Sequence, residues 1–210
     1  MNKADPAPLI LAMTGASGSA YGVRLLECLL EQGKTVYLVV SDAAHLVLAM
    51  ETDWRLPKRA GEATRLLNER YADFPGQVQV FAPQQWMAPI ASGSGRWQAM
   101  IVCPCTTGTL AAIASGHSDH LIDRAADVSL KEKRLLILVV RETPFSLIHI
   151  ENMRTLTLAG AVVMPANPGF YHQPQSVSEL VDFMVARILD QLHIDHHLLA
   201  RWGEPGRPPS

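Results

Sequence analysis

Cysteine is scarce in this chain: Cys28, Cys103 and Cys105 are the only three in 210 residues. An odd number without paired spacing excludes the disulfide framework of a small secreted domain. Aromatic residues make up 6% of the chain, too few for a platform that stacks unpaired bases. Neither sign of charge dominates, since 18 Lys+Arg face 20 Asp+Glu for a net charge of −2. That balance offers no basic footprint for nucleic acid or a membrane surface. The first apolar run, Leu9–Met13, is far shorter than a membrane span. The "MNKADPAP" before it lacks the apolar core of a secretory signal. The expectation is a cytoplasmic protein that binds neither nucleic acid nor membrane.

What is present is a core-forming composition, with 48% hydrophobic and 18% charged residues. The length predicts one domain over residues 9–204, with a flexible N-terminus (1–8) and tail (205–210). Apolar runs alternate with amphipathic stretches. Strands are predicted at Leu9–Met13, Thr35–Val40, Gln77–Phe81, Ala99–Val102, Leu135–Val140 and Ala161–Met164. Helices are predicted at about Ser19–Gln32, after Ser41-Asp42, at Glu62–Tyr71, up to Gly116, at Arg124–Lys133, Ser146–Ala159 and Val177–Leu192. Pro83–Arg96, with its "ASGSG" run, is predicted as a loop. The pattern reads as an α/β fold: a three-layer Rossmann-like (flavodoxin-like), mostly parallel sheet with helices on both faces.

Such sheets bind ligands beyond the carboxyl ends of their strands, so the residues that follow each strand are the candidates. After the first strand come Gly15, Gly18 and Gly22, spaced G-x-x-G-x-x-x-G. This is neither the dinucleotide fingerprint nor a P-loop. It fits a tight strand–helix packing turn, or a nucleotide or flavin lying on backbone amides. Asp42 stands near where a ribose-binding acid would. In "CPCTTGTLAA" the threonines and glycine before a helix suit a phosphate cradle or an ordinary N-cap. Cys103-x-Cys105 has no second cysteine pair, so core cysteines are favoured over zinc ligands. Arg141-Glu142 after "LLILVV" fits a phosphate fork with a proton-passing neighbour, or a local ion pair. "PANPGFYHQP" places Tyr171 and His172 on a rigid loop. His196 and His197, as helix neighbours, point apart and read as surface histidines. Pattern alone thus reaches a binder of a phosphorylated, flavin-like or nucleotide-like ligand.

Six segments in order resemble the flavin prenyltransferase (UbiX) family: "TGASGSAYGVRLLE", "SDAAHLVLAMET", "CPCTTGTLAAIASG", "LIDRAADVSLKEKR", "RETPFSLIHIENM" and "PANPGFYHQPQSVSELVDFMVARILD". The resemblance runs from about Leu9 to Glu204. It implies transfer of a dimethylallyl group from dimethylallyl monophosphate to N5 and C6 of reduced FMN, without a metal. It further implies a UbiD-type decarboxylase that receives the prenylated FMN, a role such as ubiquinone biosynthesis, and a homo-dodecamer with sites at subunit contacts. By matching motif, Gly15, Ala16, Ser17, Ser41, Thr106, Thr107, Gly108, Thr109 and Arg141 are implied as FMN contacts. Arg124, Lys131, Glu142, Tyr171 and Arg187 are implied around the prenyl phosphate, the last two from a neighbouring chain. Ser17 and Glu51 are implied as the pair that moves protons near the flavin, and Trp202 as an aromatic cover.

These residue types suit that chemistry. Preorganised Arg and Lys stabilise charge that develops on a departing phosphate. Glu142 can donate to it, and Glu51 can take the C6 proton. One departure stands out: many members carry Cys-Ser where this chain has Cys105-Thr106, which keeps the hydroxyl. The alternatives are an FMN-dependent enzyme like phosphopantothenoylcysteine decarboxylase and an FMN carrier without catalysis.

Overall fold

A computed structural model of the chain describes residues 7–199. Its contacts divide it into two compact units, one ending at Ala166 and one beginning at Asn167.

The first unit is built on a six-stranded, wholly parallel sheet in the order β3-β2-β1-β4-β5-β6. The strands are β1 (Leu9–Met13), β2 (Thr35–Val40), β3 (Gln77–Phe81), β4 (Ala99–Cys105), β5 (Leu135–Val140) and β6 (Val162–Pro165). The apolar runs of the central strands β1, β4 and β5 are buried on both faces, as a covered parallel sheet requires, while β3 and β6 at the edges are partly exposed. The helices are α1 (Ser19–Glu31), α2 (Asp42–Glu51), α3 (Ala60–Arg70), α4 (Thr107–Ala114), α5 (Leu121–Lys131) and α6 (Leu147–Leu158). This is the Rossmann strand order. Right-handed crossovers place α1 and α2 on one face and α4, α5 and α6 on the other, because the order reverses between β1 and β4. On the second face Ile10, Ala12, Met100, Val102, Leu136 and Leu138 pack with Leu110, Ile113, Ala125 and Leu156. On the first, α1 lies so close that a Cβ at Gly22 would come within 2.5 Å of the Cys103 carbonyl oxygen.

Two of the boundaries that differ from the sequence reading bear on the site. Strand β4 runs on through Pro104 to Cys105 instead of stopping at Val102. Pro104 has no N–H to give, but its carbonyl accepts the Thr14 amide and hydroxyl, so β1 and β4 stay joined there. Helix α5 begins at Leu121, its amide donating to the Pro83 carbonyl, and this draws the long loop toward it. That loop holds one 3-10 turn at Pro89–Ala91.

The edge strand β3 is shielded by α3. The Asn68 amide pairs with both Val78 N and Val78 O, and Val80 N donates to the Thr64 hydroxyl. Helix positions four apart rise about 6 Å, close to two strand residues, so the two side chains match alternate outward-facing groups.

The second unit carries α7 (Val177–Gln191), capped by the Ser176 hydroxyl, which accepts the Glu179 amide.

Candidate functional site

The carboxyl ends of β1, β2 and β4 lead into three helices, and the switch point of the sheet lies between β1 and β4. Ser41 caps α2, its Oγ accepting Ala44 N at 3.1 Å. Thr106 caps α4, its Oγ1 accepting Thr109 N at 3.0 Å. Helix α5 starts beside them at His120. Between these three N-termini lies a cleft of ≈ 380 Å³, lined by Ser41, Asp42, Gly108, Thr109, His120 and Asp123 among others. Helix N-termini favour anions, so this cleft is suited to a phosphate-bearing ligand. A Cβ at Gly108 would meet only Thr106 Oγ1, at 3.9 Å, so the α4 backbone is open to an incoming group there.

The first turn answers the two readings of its glycines differently. A Cβ at Gly15 would lie 2.5 Å from Ala43 Cβ, so that position is glycine because α2 packs against it. Gly18 has φ +105°, a left-handed conformation that suits glycine, and it begins α1 without a capping side chain. The cap comes from a distance. Glu51, at the end of α2, accepts the Gly18 and Ser19 amides at 2.9 and 2.8 Å. Burial works to raise its pKa, but hydrogen bonds from Ser17, Ser19 and Gly18 outweigh that and hold it below the ordinary glutamate value. Ser17, expected beside Glu51, is one of the groups that hold the Glu51 pKa down.

At the end of β5, Glu142 accepts a long hydrogen bond from Thr107 Oγ1 at 3.4 Å and one from Thr143 N at 3.0 Å. Arg141 is anchored by its amide to the Cys105 carbonyl, and its Nε is buried without a partner among the described residues. An unpaired guanidinium N–H beside a cradle of hydroxyls and helix amides fits an anionic group.

The structure brings Ser17, Glu51, Ser41, Thr106–Thr109, Arg141 and Glu142 to the carboxyl edge. It does not bring Lys131 there. Lys131 ends α5 at the opposite edge, paired with Glu132 just before β5 begins, and β5 itself spans roughly 17 Å. Arg124, on the first turn of α5, donates to the Ala91 carbonyl at 3.0 Å and to Asp127 at 2.9 Å. It thereby holds the 3-10 turn. Arg134 holds the same loop further on, donating to the Gly93 and Gly95 carbonyls with its guanidinium 3.8 Å over Trp97.

In the second unit Tyr171 stands edge-on to His172 and Phe183, and Arg187 pairs with Asp190. His196 is not the surface histidine expected: its side chain is 10% exposed and meets the other Asp190 oxygen at 3.2 Å. Trp202 lies outside the described residues.

Two features of the site leave little trace in the sequence. Asp123 is 6% exposed in the cleft wall, and burial pushes its pKa up, with His120 at 3.6 Å opposing. Nothing in its spacing marks it. Thr14 links the two central strands, and its only signal was a polar residue ending an apolar strand. Among the described residues, no group of three or more His, Cys, Asp or Glu could hold a metal ion. No helix there is long and apolar enough to cross a membrane.

Fold and cleft together define a phosphate-binding α/β protein of the Rossmann type. The family model described as Flavoprotein matches residues 2–189. The flavin prenyltransferase UbiX of Pseudomonas aeruginosa is 55% identical over 199 residues, which is 95% of either chain. A solved AnUbiX (PadA1) complex with FMN and dimethylallyl pyrophosphate has a TM-score of 0.83 and 40% identity, with 94% of this chain and 98% of that one covered. A dodecameric FMN-dependent UbiX-like decarboxylase from Escherichia coli O157:H7 has a TM-score of 0.81 and 42% identity, with 93% and 98% covered. The chain belongs to the flavin prenyltransferase UbiX family of flavoproteins.

Proposed function

We propose that this chain transfers a dimethylallyl group from dimethylallyl monophosphate to N5 and C6 of reduced FMN, and that a UbiD-type decarboxylase receives the product. The observation that carries the reading is the cleft at the switch point. Three helix N-termini, two hydroxyl caps and the open Gly108 face it, in a chain 55% identical to a flavin prenyltransferase. The three cysteines are all buried free thiols, which suits action in the cytoplasm.

FMN supplies the nucleophilic ring, and the chain supplies position and charge. Ser41, the Thr106–Thr109 turn and Arg141 hold the flavin, with the Gly15–Ser17 turn against it. Ser17 and Glu51 hold or move a proton at its edge. Glu142 donates to the departing phosphate, Arg124, Lys131 and Arg187 neutralise its charge, and the Tyr171 hydroxyl donates a hydrogen bond to it. Lys131 is assigned to the site of a second copy, since β5 lies between it and Glu142 of its own chain. The dodecameric relative supports that reading. Exposed Leu46 and Met50 on α2 and Leu147, Ile148 and Leu158 on α6 offer apolar area for contacts between copies.

Anaerobic incubation with reduced FMN and either the monophosphate or the pyrophosphate donor tests the reading. Extracted flavin heavier by one C5H8 unit is expected. Bound but unchanged FMN with both donors would leave an FMN carrier.

A further inference from the structure

We infer that Thr14 is a positioning residue for the flavin cradle, acting through Thr106; the inference rests on the proposed flavin site. Thr14 follows β1 and is 3% exposed. Its hydroxyl donates to the Pro104 carbonyl at 2.8 Å and accepts the Thr106 amide, also at 2.8 Å. Its own amide donates to the same Pro104 carbonyl at 3.2 Å.

The need for it is local. The β1–β4 register runs Ile10↔Met100, Leu11↔Ile101, Ala12↔Val102, and no further. On the other side of β4 the register to β5 shifts between Val102 and Cys105. Pro104 cannot donate, so the regular ladder ends where the two cradle loops begin. The Thr14 side chain continues it by one step, adding a second donor to the Pro104 carbonyl and supplying the acceptor for the Thr106 amide.

That step joins the cradle's two halves. Thr14 immediately precedes Gly15, Ala16 and Ser17. Thr106 is the N-cap whose Oγ1 accepts Thr109 N and donates to Thr109 Oγ1. A residue that fixes the Thr106 amide therefore fixes the start of α4 relative to the first turn. Without the hydroxyl, a buried N–H and a buried carbonyl lose a partner, and the cap is free to shift. Shifts of this size at a preformed site weaken ligand binding out of proportion to stability.

The test is FMN affinity, by quenching of flavin fluorescence, in the wild type, Thr14→Val, Thr14→Ser and Leu11→Ala. Val keeps the shape and removes the hydroxyl; Ser restores it. Leu11 is a fully buried residue in the middle of β1, and its truncation reports general loosening of the strand. The expected result is a Kd raised at least about tenfold by Thr14→Val, with Thr14→Ser within about threefold of wild type. Leu11→Ala lowers the melting temperature but leaves the Kd in place. Folded Thr14→Val that binds as wild type overturns the inference, and so does Thr14→Ser that binds as poorly as Val. If Val does not fold, Ser and the hydrogen-exchange protection of the Thr106 amide decide: fast exchange of that amide in the wild type overturns it. Wild-type protein that is folded yet binds no FMN instead sinks the flavin site itself.

Discussion

The carboxylate of Glu51 accepts the amide of Ser19 at 2.8 Å, joining the last residue of α2 to the first of α1. Gly18 has no side chain to cap α1, and an anion from 32 residues away does so. This fixes Glu51 as an anion at neutral pH and lowers its appetite for a proton.

The first prediction follows from that bond. Glu51→Gln keeps an oxygen for the cap but loses the charge, and costs about 0.5–1 kcal/mol at neutral pH, kept small by solvent. The folded pKa is depressed, so the wild-type advantage is present above the unfolded value near about 4.3 and disappears as pH falls through the folded value. Urea melts at pH 7 and pH 3 check it. In turnover, Glu51→Gln yields flavin alkylated at N5 without closure to C6. Mass cannot separate the two isomers, but proton NMR of the extracted flavin can. A closed fourth ring from this variant would remove Glu51 from the base role.

Gly15 and Gly108 make a contrasting pair. Alanine at Gly15 pushes against Ala43, and displaces the start of α2 and the Ser41 cap with it. The expected loss is about 1–3 kcal/mol, with weaker FMN binding as well. Alanine at Gly108 meets open space inside α4, where it gains about 0.5–1 kcal/mol over glycine. Its methyl group nonetheless enters the cleft. The Gly108→Ala protein is expected to melt at or above wild-type temperature while its FMN affinity falls at least tenfold. Unchanged affinity would mean that flavin lies elsewhere.

Most of the frame was legible because burial on both faces leaves a simple trace. "LILAM", "TVYLVV" and "LLILVV" are unbroken apolar runs, and each became a strand at the expected bounds. "CPC" misled because proline normally ends a strand, and the compensating hydroxyl lies 90 residues away. The same holds for the site. Ser41 and Thr106 were legible as caps, since an N-cap is a local pattern. Asp123 was not, because what matters about it is burial against distant loops. The separation of Lys131 from Glu142 was legible in the strand predicted between them, although the family resemblance groups both residues around one phosphate. They stand only 11 positions apart, yet a strand runs between them.

Asp123 gives a pH prediction of the opposite sign to Glu51. Burial raises its folded pKa, so the ionised form costs stability at neutral pH. The contribution that favours folding is fully present below the unfolded pKa, near about 3.9, and is lost as pH rises through the folded value. Asp123→Asn is therefore expected to melt above the wild type at pH 7–8, with the gap closing as pH falls below about 4. Scanning calorimetry across that range is the check, and a gap that stays constant with pH would show that the carboxyl does not titrate differently on folding.

The placement of Lys131 allows a test that needs no structure of an assembly. In the proposed roles, Lys131→Ala removes a charge and Glu142→Gln a proton donor at the departing phosphate, and each alone is expected to lower turnover about a hundredfold or more. If both residues came from one chain, every site in a mixture of the two variants would carry a lesion. If they come from different chains, random assembly restores about a quarter of the sites, because half of the Glu142 donors are intact and half of the Lys131 donors that meet them are too. Coexpression of the two variants, followed by the anaerobic flavin assay, reads the difference directly. Recovery toward that fraction is the expected result, since β5 holds the two side chains at opposite edges of the same sheet. A mixture no more active than its parts would overturn the assignment of Lys131 to a site shared between chains.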